Sequence, residues 1–160
     1  MSTTTATNTI KDSAITDIAA GLNQLVADSY GLMAQLHLAH WNVEGADFYP
    51  LHTGFQTQYE ELFTAIDDIA ERVRALDCYS AGGLKTLASM SNIEEGPSAS
   101  GCPAKDFVAS VLVGHEKVIE TAHKTRLLAA ESGDAETEDL LIGRISTHQK
   151  FAWMLRSYLK

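Results

Sequence analysis

Proline is scarce in this 160-residue chain, occurring only at Pro50, Pro97 and Pro103. Because proline interrupts helix interiors, its rarity leaves long stretches free to run as regular helix. Cysteine is scarcer: Cys78 and Cys102 stand alone, without CxxC spacing, which excludes a disulfide-stapled secreted scaffold and a cysteine-rich zinc fold. No apolar run approaches the roughly 20 residues that span a bilayer. The opening MSTTTATNTIKDS has no basic lead followed by an apolar stretch, so no secretory signal is read, the expected location is the cytoplasm, and no membrane partner is expected. Bases are also few, 12 Lys and Arg against 21 Asp and Glu, for a formal charge of −9. That balance argues against the clustered cationic surface that holds nucleic-acid phosphates, and it leaves cation handling open.

What is present is apolar periodicity. Hydrophobic residues make up 45% of the chain, and a chain of this length buries roughly 70% of its unfolded surface, enough for a core without staples. Residues 1–13, rich in Thr, Ser and Ala with Lys11 as the single base, read as a flexible tail, and residues 14–160 as one domain. Ile15, Ile18, Leu22, Leu25, Val26, Tyr30, Met33, Leu36 and Leu38 recur at steps of three and four, predicting a helix from about Ala14 to His40. The same rhythm predicts a second helix from about Phe48 to Leu76, with Pro50 in its first turn. After SAGG a short helix fits Leu84 to Met90, and NIEEGPSASGCP breaks the pattern again. Long helices follow from about Ala104 to Glu131 and from Asp134 to the end. Four long amphipathic helices with one long link between the second and third make an all-α four-helix bundle with a crossover.

Bundle helices build metal sites from residues at helical spacing. On the second helix His52 and Gln56 stand four apart, as do Asp67 and Glu71, and all four fall within roughly 100° of one another around the helix. Gln56 and Asp67 are nevertheless about 16 Å apart along the axis, too far for one metal. A second copy of the helix lying antiparallel, with a two-fold axis near residues 61 and 62, sets His52 opposite Glu71 and Gln56 opposite Asp67. Two equivalent sites then lie in an isologous dimer interface. His40, at the end of the first helix, can fold back over the same place. Imidazole mixed with carboxylate suits iron, with manganese or zinc as other candidates, better than magnesium or calcium.

The same residues carry a resemblance. His40-Trp41-Asn42-Val43-x-Gly45-x-x-Phe48-x-x-Leu51-His52, then Tyr59 and Asp67-x-x-Ala70-Glu71-Arg72, resemble the signature of the Dps family, the mini-ferritins. Gly133-Asp134-x-x-Thr137-x-Asp139-Leu140-Leu141 and Trp153-Met154-Leu155 resemble that family's last helix. The resemblance implies a ferritin-like four-helix bundle whose short extra helix sits at the dimer interface. It implies a homo-oligomer, a dodecameric shell, that oxidises Fe(II), preferably with hydrogen peroxide, at di-iron ferroxidase centres between subunits and stores Fe(III) inside. The implied ligands are His40 and His52 from one subunit with Asp67 and Glu71 from the other. Where the family commonly has aspartate this chain has Gln56, a neutral amide oxygen, so the second iron position is expected to be weak. His37, one turn before His40, is a candidate substitute ligand.

In the family the start of the last helix lines a three-fold pore. Asp139 matches a pore aspartate, and Asp134 is carried with it as a second pore residue. Glu131, Asp134, Glu136, Glu138 and Asp139 form a run without a base, which helix capping explains equally well. Trp41 and Tyr59 either pack the interface or take up stray oxidising equivalents. A ferritin-type site inside the bundle needs two Glu-x-x-His motifs, and only Glu120-x-x-His123 exists; His115, His123 and His148 therefore read as surface or packing residues. The alternative function is a non-enzymatic DNA-binding or protective shell. A tail with only Lys11 makes DNA binding weak in expectation.

Overall fold

In a computed structural model residues 10–160 are described, and they form five helices and no strand. These are α1 (Asp12–Asn42), α2 (Phe48–Ala75), α3 (Leu84–Met90), α4 (Ala104–Ser132) and α5 (Ala135–Tyr158). The first nine residues of the expected tail lie outside the described residues. Lys11 already sits at the N-cap of α1.

Apolar residues at three- and four-residue steps set the buried face of each long helix. In α2 these are Leu51, Phe55, Leu62, Ile66, Ile69 and Val73, and in α5 Leu141, Ile145, Ala152 and Leu155. They meet Leu22, Leu25, Leu32 and Leu36 of α1 and Phe107, Val111 and Val118 of α4 in one core. Each fully buried leucine or phenylalanine contributes about 2 kcal/mol of burial free energy. Pro50 falls in the first turn of α2, where its missing N–H would have had no helical partner.

Short loops make α1–α2 and α4–α5 antiparallel hairpins. The second turn is Gly133-Asp134: Gly133 closes α4 at φ 75°, a left-handed conformation that suits glycine, and Asp134 caps α5 by accepting from the Thr137 N–H at 3.0 Å. The hairpins pack through α1 and α4, which run antiparallel, with Asp28 bonded to Thr121 and Gly114 facing Leu32 and Gln35. A Cβ on Gly114 would lie 2.8 Å from Leu32 Cδ1, so a side chain here would make the tips of Leu32 and Gln35 shift. The remaining seam, α2 against α5, is joined mainly by polar pairs. Tyr158 with Asp47, Arg144 with Glu61 and Arg72 with Asp134 mark its antiparallel register.

The long connection from α2 to α4 is held by polar residues that interrupt the apolar pattern of α1. Asp28 is fully buried; its Oδ1 accepts from the Asn92 N–H at 2.7 Å and Gln24 Nε2 at 3.0 Å, and its Oδ2 from Thr121 Oγ1 at 2.7 Å. Gln24 also donates to the Met90 carbonyl, Asn23 to that of Tyr79 and Gln35 to that of Glu94. Because charged, buried hydrogen bonds are costly to orphan, Asp28→Ala is expected to destabilise the chain by about 3 kcal/mol. The check is a lowered urea midpoint with native helical circular dichroism retained.

Candidate metal centre

The end of α1 and the start of α2 face each other across the Val43–Asp47 loop, and this brings His40 against His52. His40 Nδ1 donates to the His52 carbonyl and His52 Nδ1 to the His40 carbonyl, both at 2.8 Å. Carbonyl oxygens only accept, so both imidazoles carry a proton on Nδ1, and in the neutral ring this tautomer leaves the lone pair on Nε2. The rings stack with centroids 3.7 Å apart. His40 is buried and His52 half-buried. Two imidazoles held through Nδ1, with Nε2 bonded to no described residue, have the orientation a metal-binding pair needs, since a ligating histidine is held through its other nitrogen.

Aromatic rings wall the pair. The Phe48 ring lies 4.9 Å from His52, and Tyr59 packs edge-on to His40 at 5.2 Å and against His37 at 4.4 Å. His37 in turn stacks parallel on Trp41 at 5.1 Å. One turn beyond His52, the half-buried Gln56 donates from Nε2 to Glu60 at 2.7 Å. Asp67 and Glu71 are exposed on α2 and make no ion pair or side-chain hydrogen bond among the described residues. Within one copy of the chain the two halves therefore stay apart: among the described residues no three His, Cys, Asp or Glu side chains converge on one point. Between the halves on α2 stands Phe63, 70% exposed.

Residues 19–160 match the family model of the ferritin-like domain. The chain is 37% identical over 138 residues to DNA protection during starvation protein 2 of Bacillus anthracis, covering 86% of this chain and 93% of that one. Among solved structures it is similar to the antigen TpF1 of Treponema pallidum, with TM-score 0.91, 31% identity and 98% and 99% of the two chains covered. It is also similar to the Dps protein of Vibrio cholerae O1, described as one of a broad superfamily of ferritin-like diiron-carboxylate proteins, with TM-score 0.89, 26% identity and 99% and 100% covered. This chain is a Dps protein of the ferritin-like family.

The interior of this Dps protein holds a second polar centre, built on two of the histidines expected at the surface or in packing. His115 of α4 and His148 of α5, expected as surface or packing residues, are 1% and 2% exposed and bonded to each other, Nδ1 to Nδ1, at 2.8 Å. Donor directions follow from the ends of the chain. Arg144 can only donate, so His148 Nε2 accepts from it at 3.0 Å and His148 donates from Nδ1 to His115. His115 then donates from Nε2 to Gln58 Oε1 at 2.8 Å. At the outer end Arg144 grips both carboxylate oxygens of Glu61. Burial first, and then the neighbouring Arg144 guanidinium, lowers His115 to a pKa of about 3. Burial, His115 and Arg144 push His148 well down as well. Both histidines are thus neutral core residues, and the guanidinium occupies the cationic place in the bundle interior. The signal was present in the pattern: His148 continues the buried series Leu141, Ile145, Ala152, Leu155, and His115 lies between Val111 and Val118.

The acidic turn between α4 and α5 divides in two. Asp134, expected at a pore mouth beside Asp139, is instead 0% exposed. Its Oδ1 is paired with Arg72 at 2.7 Å, its Oδ2 accepts from Thr137 Oγ1 at 2.6 Å, and it caps α5. A carboxylate so enclosed cannot line a passage, and the pore assignment of Asp134 is corrected to a structural one. Arg72 follows Glu71 directly, so this anchor also fixes the end of α2 that carries the exposed carboxylates. Glu138 pairs with Arg126 at 2.9 Å, whereas Glu131, Glu136 and Asp139 remain exposed.

Proposed function

We propose that this Dps protein is a ferroxidase and iron store, oxidising Fe(II) with hydrogen peroxide at centres shared between two copies and keeping Fe(III) inside a dodecameric shell. The observation that carries the reading is the division of α2: a crossed histidine pair with free Nε2 atoms at one end, and two exposed, unpaired carboxylates at the other. An antiparallel partner helix joins His40 and His52 of each copy to Asp67 and Glu71 of the other. Phe63, exposed near the middle of α2, is covered in the same step, and an exposed large apolar side chain there fits an interaction surface.

The chemistry follows from the donors. Two adjacent Fe(II) ions each give one electron to one peroxide, whose O–O bond is cleaved and which leaves as water after taking two protons. A pair of one-electron donors acting together avoids the lone reduction that frees hydroxyl radical. Histidine suits the ferrous ion on arrival, and the carboxylates stabilise the extra positive charge as it becomes ferric. The exposed Asp139, near the start of α5, is proposed to draw cations through a three-fold pore, where three copies of one carboxylate focus the field. Protection in this reading comes from consuming iron and peroxide, and DNA is at most a weak partner.

The test is anaerobic addition of Fe(II) and peroxide, followed by ferric absorbance, to the wild type and to Asp67→Ala. Asp67 is exposed and unpaired, so the variant keeps its fold, and its assembly is checked by sedimentation. Loss of the fast phase is expected; equal rates overturn the proposal.

A further inference from the structure

We propose that His37 is a third imidazole donor of the shared centre and ligates the second Fe(II), the position to which Gln56 brings no charge. This inference rests on the shared-centre reading above. Three observations carry it. His37 lies one turn before His40 on α1, and the ring of Tyr59 touches both, at 4.4 Å and 5.2 Å, so the two imidazoles flank one phenol and border the same space. Neither ring nitrogen of His37 makes a hydrogen bond to any described residue, whereas His40 and His52 each commit Nδ1 to a carbonyl. The parallel stack on Trp41, with 4° between the planes, fixes the ring without using either nitrogen.

The donor count makes the same point. Gln56 offers a neutral amide whose nitrogen is already held by Glu60. On the histidine half of the site, His37 is a side chain beside Tyr59 with an unused nitrogen lone pair. Completing the second position with imidazole in place of carboxylate has a chemical consequence. Neutral nitrogen donors favour the ferrous ion over the harder ferric product, so this position takes up Fe(II) and lets go of Fe(III), supplying the store instead of retaining the product.

Metal binding without turnover tests this, with Co(II) as the probe, titrated into the assembled apoprotein and followed by calorimetry and by its visible absorption. Two ions per centre are expected in the wild type. His37→Ala should keep the tight ion and weaken the other at least about 10-fold. His37→Phe, which preserves the stack on Trp41 and removes the nitrogens, should match it, separating ligation from packing. His52→Ala should lose the tight ion. Unchanged second-ion affinity in both His37 variants overturns the inference and leaves the shared centre standing. A wild type without bound Co(II), or a His52→Ala variant indistinguishable from it, overturns the shared centre and this inference with it.

Discussion

Subunits carrying His52→Ala, mixed during refolding with subunits carrying Asp67→Ala, are expected to recover about one wild-type centre in four. Each variant alone is inactive in this expectation because every centre lacks a ligand. In a mixed dimer one centre lacks both His52 and Asp67, while the other draws His52 from one copy and Asp67 from the other and is complete. Random pairing makes half of the dimers mixed, and half of the centres in those are intact. The single variants should lose Fe(II) affinity by at least about 100-fold, since even removing a partner of a ligand costs 10–100-fold. Folding should survive. The side chain of His52 contributes one hydrogen bond, to the His40 carbonyl, and a ring stack on His40, worth about 1–2 kcal/mol together. The bond from His40 Nδ1 goes to the main chain at residue 52 and persists in the alanine variant, so His40 keeps its tautomer. Recovery is read as peroxide-dependent ferric absorbance after mixing, against each variant refolded alone. No recovery, with mixed assemblies shown by mass spectrometry of labelled subunits, would sink the shared centre.

The geometry behind this proposed centre was half legible in the sequence. Spacing on α2 sorts His52, Gln56, Asp67 and Glu71 onto one face and shows that they cannot meet within one copy, because a helix rises about 1.5 Å per residue whatever its surroundings. The crossed bonds of His40 and His52 were not legible, because their acceptors are backbone carbonyls and any residue supplies one. Helix limits read from apolar period match the observed ones at α3 and at the starts of α2 and α4 and elsewhere differ by no more than two residues, as in the start of α1 at Asp12, where the flanking polar residues carry no periodic signal. The polar residues of α1 defeat periodicity for a physical reason. Asp28 and Gln35 are buried because the connection crosses over them, and their partners lie 59 to 93 positions away. Asp134 shows the opposite failure. An acid before a helix is equally good as an exposed charge and as a cap, and only Arg72, 62 positions earlier, decides for the buried cap.

Acid should destabilise this protein well before its carboxylates titrate. His115 and His148 are buried and neutral, with pKa values below those of an unfolded chain: about 3 for His115, by burial and then Arg144, and well below 6.5 for His148, by burial and then its two cationic or titratable neighbours. A depressed folded pKa means that below 6.5 the unfolded chain binds protons that the native state refuses. Stability is therefore full above pH 6.5 and falls as pH drops below it, until the folded pKa is reached. Each such histidine contributes up to about 1.4 kcal/mol per pH unit. Between pH 6.5 and 5, where ordinary aspartate and glutamate are still largely ionised, the pair should cost about 3 kcal/mol. His37, lowered by partial burial and by His40, acts in the same direction. The measurement is the urea midpoint at fixed protein concentration across that range, for the wild type and for a His115→Gln, His148→Gln double variant. Glutamine can accept from Arg144 and pass a hydrogen bond on without titrating, so the variant should lose most of the slope while keeping the Glu61 to Gln58 chain connected. An equal slope in both proteins would mean that the acid response lies outside the bundle core. A flat variant would assign the acid response to the two histidines: protonated His148 cannot accept from Arg144, whose grip on Glu61 is one of the polar ties across the α2–α5 seam.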